Sequence, residues 1–126
     1  MKKLFMLFII ALFSNFTFAQ SNSGKCSVEV SDVSKVSSFG YLLGYTVEFK
    51  NNSKKTVDGI YWNVFYYNNA LELIKKDNSS FNSSKAIDPI ATGFTKTLVR
   101  PDRIKGASKA IIKITKVHFT DGTSCN

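Results

Sequence analysis

The chain has 126 residues, with 17 Lys and Arg against 9 Asp and Glu, one His and two Cys, for a formal charge of +8. That length allows one domain with a modest core and excludes two. One His and two Cys, without C-x-x-C or H-x-x-x-H spacing, exclude the usual zinc sites.

The first element is an export signal. Lys2 and Lys3 precede the apolar run Leu4 to Phe13, and Ser14 to Ala19 ends in Thr17-Phe18-Ala19, with small residues where a signal peptidase needs them. Residues 1–19 are therefore predicted to be a signal peptide cleaved after Ala19, and the protein to be secreted or periplasmic. Ten apolar residues are too few to cross a hydrocarbon layer of roughly 30 Å, so no transmembrane segment is expected after cleavage. Ser23-Gly24-Lys25 before Cys26 is no lipidation signal. Taking the first 19 of 126 residues away leaves 107, and the loss of Lys2 and Lys3 lowers the charge from +8 to +6. This balance permits a polyanionic partner. The lysines are scattered from Lys25 to Lys116, however, and no compact aromatic-basic motif is present, so no nucleic acid is expected.

Gln20 to Lys25 reads as a flexible leader. Cys26 to Val36 alternates, with Val28 and Val30 opposite Ser27 and Glu29, which predicts a half-buried strand. A turn at Ser37-Ser38-Phe39-Gly40 leads to a second strand, Tyr41 to Lys50, and the cluster Asn51 to Lys55 is expected to close a hairpin onto the third. That third run, Val57 to Tyr67, is apolar on both parities, as central strands are. Asn68-Asn69-Ala70 turns into a short run, Leu71 to Ile74, and Lys75 to Lys85 reads as a Ser/Asn-rich loop with Phe81 as its one large apolar residue.

Ala86 to Ile90 fits a short edge strand, where Pro89 is tolerated. Phe94 to Val99 is a further strand, and Arg100 to Ser108 reads as an irregular loop. In the last strand, Lys109 to Thr120, Ile112 and Ile114 share one parity while Val117 and Phe119 share the other, which places a β-bulge near Thr115-Lys116. Six long or moderate passes and one short edge strand, without helical periodicity, predict an all-β antiparallel sandwich. Cys26 and Cys125 bracket the domain, and export favours a disulfide between them. Such a bond needs neighbouring termini, hence an even number of full passes.

The run Val47-Glu48-Phe49-Lys50-Asn51-Asn52-Ser53-Lys54-Lys55-Thr56-Val57, followed by Val64-Phe65-Tyr66-Tyr67-Asn68-Asn69-Ala70, resembles the FxLYD-type immunoglobulin-like domains of secreted bacterial proteins. Val64 stands where that pattern has Phe, Tyr66 where it has Leu, Tyr67 matches Tyr, and Asn68 replaces Asp. The closing Val117-His118-Phe119-Thr120-Asp121-Gly122-Thr123 is similar to the end of related domains. The resemblance implies an immunoglobulin-like sandwich of six to seven strands over residues 26–126, and a secreted accessory role. It transfers no catalytic residue.

Among candidate site residues, Trp62 shares the parity of Ile60 and Val64 and is expected in the core. Tyr61, Phe65 and Tyr67 form either an exposed aromatic strip, able to stack on a glycan or pack on a protein, or a face covered by the Lys75 to Lys85 loop with Phe81 as plug. His118 falls outward with Lys116 and has no evident nucleophile. Lys109, Lys113 and Lys116 fit an anion-binding stripe or the charge guard of an outer strand. Asp58, Asp88, Asp102 and Asp121 sit at turns. The sequons at Asn51, Asn78 and Asn82 are expected to carry no glycan. The expectation is a binding or accessory domain, not an enzyme and free of cofactors and metals, recognising a protein or cell-envelope glycan through Tyr61, Phe65, Tyr67 and Phe81. The alternative is a secreted inhibitor or immunity-type protein that inserts Phe81 and its loop into an extracellular enzyme.

Overall fold

The computed structural model describes residues 22–38, 41–83 and 88–126, so the expected signal peptide lies outside the described residues. Within them, seven strands run in chain order: β1 (Val28–Ser38), β2 (Tyr41–Asn51), β3 (Val57–Tyr67), β4 (Leu73–Asn82), β5 (Thr95–Lys105), β6 (Lys109–Phe119) and β7 (Ser124–Cys125). They form two antiparallel sheets, β1-β2-β5 and β4-β3-β6-β7. With β1, β2 and β5 as strands A, B and E, and β3, β6 and β7 as C, F and G, the order is immunoglobulin-like. The fourth strand differs, having moved from the edge beside E to the edge beside C.

Alternating side chains of both sheets meet in one core. Tyr45, Val47 and Phe49 of β2 face Ile60, Trp62, Val64 and Tyr66 of β3 and Ile112, Ile114 and Val117 of β6. Trp62 is buried as expected, its ring centroid 4.9 Å from that of Phe49. The expected bulge is present: Tyr61 pairs with Lys116 and Trp62 with Ile114, which leaves Thr115 as the extra residue. Its hydroxyl donates to the Tyr61 carbonyl. The bulge lets Ile112, Ile114, Val117 and Phe119 all point inward.

Three expectations about the strands fail, for definite reasons. The Asn51 to Lys55 cluster closes no hairpin, because β2 and β3 lie in different sheets and the segment carries the chain across the sandwich. The Lys75 to Lys85 loop is in fact most of β4, and the Arg100 to Ser108 loop contains the second half of β5. Both strands turn polar residues inward at the open edge between the sheets, so neither shows apolar alternation. The edge strand expected over Ala86 to Ile90 falls partly outside the described residues, and Ile90 makes one isolated bridge to Val57. The leader, expected to be flexible, is tied down where it is described: Ser23 pairs with Lys113, and Asn22 Oδ1 accepts from the Ile112 amide.

Two constraints fix one end of the sandwich. Cys26 and Cys125 form a disulfide with Cα atoms 6.2 Å apart, closing a separation of 99 residues. Asn51, fully buried, uses its whole side-chain amide: Nδ2 donates to the carbonyls of Lys55 and Ile90, and Oδ1 accepts from the Ser53 amide and hydroxyl. Replacing it by Ala leaves several buried groups without partners, each worth about 1–3 kcal/mol. Asn51→Ala is expected to lower unfolding free energy by about 3 kcal/mol in denaturant titration, against under 0.5 kcal/mol for exposed Asn52→Ala. Reducing the disulfide is expected to lower it by about 3–4 kcal/mol, measured in the same way with and without reductant.

Candidate functional site

The outer face of the four-stranded sheet assembles most of the sequence-predicted site. Tyr61, Phe65 and Tyr67 point outward from β3, each half-buried. Register sets their neighbours: Tyr61 lies between Ser80 and Lys116, Phe65 between Lys76 and Ile111, and Tyr67 between Leu73 and Lys109. The strip is thus neither bare nor covered by a loop. The segment expected to cover it is β4, a strand lying beside it. Long lysine side chains close over the rings instead, with Lys76 Nζ 5.6 Å and Lys113 Nζ 5.4 Å from the Phe65 centroid. Lys116 Nζ lies 5.5 Å from that of Tyr61. Contacts of this kind are worth about 0.5–1 kcal/mol each at exposed sites. An ammonium so placed keeps most of its hydration and can turn to an arriving anion.

Phe81 does not join this face. It pairs with Ile60, points inward and is 1 % exposed, so it packs the core and cannot reach a partner or an enzyme cleft. Apart from an isolated bridge of Ser23 to Lys113, β6 is covered on its far side by β7 only at Val117 and His118. Its lysines lie along a partly open edge and, by register with Tyr61 and Tyr67, on the outer face of the sheet. Lys109, Lys113 and Lys116 therefore stand as a row on a face, two strands from Lys76. Asp58 is the one carboxylate at this face among the described residues of β3, β4 and β6. A second bulge, opposite Phe119 and His118, turns it outward, and its Oδ1 lies 2.5 Å from His118 Nδ1. Gly59 makes that approach possible, since a Cβ there would stand 3.1 Å from the His118 Cβ. His118 is thereby occupied by a structural partner.

A second polar cluster, which the sequence did not disclose, lines a cleft of about 150 Å³ between the edge strands β4 and β5. Trp62 Nε1 donates to the Tyr45 hydroxyl, and Tyr66 donates its hydroxyl to Asp102 Oδ2 at 2.8 Å. Arg100 spans the gap, donating to Ser79 Oγ, the Ser80 carbonyl and its own neighbour's carbonyl, with its guanidinium 5.5 Å from the Trp62 ring. Those donors are spent on the protein itself, and the space is well below the roughly 300 Å³ of ordinary ligand pockets. The cluster closes the open edge of the sandwich. Groups of three or more His, Cys, Asp or Glu able to hold a metal are absent among the described residues.

In comparisons with known proteins, no family model, curated protein or solved structure matches the chain.

Burial pushes the Tyr66 phenol upward, and its bond to Asp102 pushes the same way. Burial raises that of Tyr45 too, partly offset by the bond from Trp62. The fold therefore holds both phenols neutral. Their contribution to stability is complete below the ordinary tyrosine value of about 10 and declines as pH rises above it. Melting temperature is expected to fall from about pH 10 upward, and less steeply in Tyr66→Phe than in the parent. Equal slopes would show that Tyr66 is not a source of the alkaline loss.

Proposed function

We propose that this is an exported, non-enzymatic binding domain, akin to the FxLYD-type immunoglobulin-like domains, whose outer four-stranded face recognises an anionic glycan of the cell envelope. One observation carries the reading: Lys76, Lys109, Lys113 and Lys116 surround Tyr61, Phe65 and Tyr67, and the nearest carboxylate on the strands, Asp58, is held by His118. Uronate or sulfate groups would draw the ammonium groups away from the rings. The uncovered ring faces then offer stacking surface to sugar C–H groups. Export is supported by the Lys2-Lys3, Leu4 to Phe13 and Ala19 pattern, and by the disulfide, a bond that persists in oxidising compartments. The inhibitor reading loses its support with Phe81, the residue meant to insert.

The test is titration of the protein with an acidic polysaccharide such as a polyuronate, and with a neutral polysaccharide of similar size. Binding to the acidic polymer is expected to weaken with salt, and to drop about tenfold in Phe65→Ala and in Lys113→Ala/Lys116→Ala. Equal binding of the neutral polymer, or unchanged affinity in both variants, would overturn the assignment.

A further inference from the structure

Exposed apolar side chains gather at one end of the sandwich. Large apolar side chains exposed among the described residues are Val36, Leu43, Leu71, Leu73, Ile74, Phe94 and Val99. Five of these, Val36 to Ile74, lie at the end of the sandwich opposite the disulfide. There the β3–β4 turn meets the β5–β6 turn, with the Ser108 amide donating to the Tyr67 carbonyl and Lys35 Nζ donating to the Ser108 carbonyl. Ile74 reaches across to Gly106.

The β3–β4 turn is tightly made. Asn68 accepts from the Leu71 amide through its carbonyl and from the Glu72 amide through its side chain, and its own amide donates to the Glu72 carbonyl. In this frame Leu71 sits at φ 61°, a left-handed conformation that suits Gly or Asn and strains a leucine. Its side chain is 51 % exposed, so core packing does not compensate the strain. Leu73, 54 % exposed, and Ile74, 41 % exposed, stand beside it. A local rule broken without a gain in packing points to a use outside the fold.

Charge identifies the occupant. Lys105 and Lys109, at the adjoining ends of β5 and β6, are exposed and form no ion pair with described residues. Lys75 pairs with Asp77, and the carboxylate between the two leucines, Glu72, accepts from the Asn68 side-chain amide. At the opposite end Lys55 is paired with Asp121 at 2.9 Å. Short aliphatic side chains at an apex with a lysine collar match the boundary of an anionic bilayer, where apolar groups enter the acyl region and lysines meet phosphates. Protein hot spots would favour Trp, Tyr and Arg instead. We propose that Leu71, Leu73 and Ile74 form a membrane-contacting tip that enters the surface of an anionic lipid bilayer. The tip shares Lys109 with the proposed glycan face but not Lys113 or Lys116.

Co-sedimentation of the chain beginning at Gln20 with phosphatidylcholine vesicles, with and without phosphatidylglycerol, tests the tip. Binding is expected only to the anionic vesicles, and about tenfold weaker in Leu71→Gly and in Leu73→Ser. Leu71→Gly relieves the left-handed strain, so its melting temperature is expected to equal or exceed the parent's, which separates lost contact from lost fold. Failure to bind anionic vesicles overturns the proposal. So does binding that survives both leucine changes yet falls in Lys113→Ala/Lys116→Ala, since that pattern belongs to the glycan face.

Discussion

The buried amide of Asn51 is the constraint on which the arrangement of the sheets depends. The chain leaves β2 in one sheet and must enter β3 in the other, and a crossover of this kind exposes backbone groups that neither ladder can satisfy. Asn51 takes up that burden: its side chain holds the carbonyls of Lys55 and Ile90 and the amide of Ser53. Its backbone is bonded to the Gly93–Phe94 turn on the far side. One residue thus ties together the end of β2, the crossover and the return segment before β5. The disulfide closes the same end by joining the chain before β1 to β7, so both devices anchor the end away from the Leu71 turn.

Where side chains facing the core are apolar, the sequence discloses the strand. β1, β2, β3 and β6 alternate clearly, and the parity change between Ile114 and Val117 locates the bulge within a residue. β4 and β5 are another matter. Their inward positions include Asp77 and Ser79 on one strand and Arg100 and Asp102 on the other, all lining the same cleft. Each strand looks like a loop alone, because the partner that satisfies its polar residues lies on the opposite sheet, some twenty positions away in sequence. Asn51 was hidden for a related reason: Asn-Asn-Ser marks a turn, and nothing local tells that the first Asn is buried while the second is exposed.

The candidate face was half legible. Parity alone separated Tyr61, Phe65 and Tyr67 from Trp62, since a strand sends successive side chains to opposite faces. Lys109, Lys113 and Lys116 were legible as an outward row on the last strand, whereas Lys76 was visible only as scattered charge. Lys76 and Lys113 are 37 positions apart, yet both stand over Phe65 because β4 and β6 flank β3. An aromatic-basic surface built across three strands leaves no compact motif. Phe81 misled because a lone aromatic in a polar segment resembles an exposed plug, whereas here it is the one apolar inward residue of an edge strand and fills the core at its margin.

The cleft and the face are therefore coupled through β4. That strand bonds to β3 on one side only, and its inward residues meet the other sheet through Arg100, Ser79 and the Ser80 carbonyl. Its outward residues include Lys76, which covers Phe65. A polar network of this kind is directional where apolar packing is not, so it fixes the height and register of β4 against the rest of the sandwich. The cluster that bridges the two sheets thus also decides where Lys76 stands over Phe65. The same strand begins at Leu73, beside the strained Leu71 turn, so its register also sets how far that apex projects beyond the lysines around it.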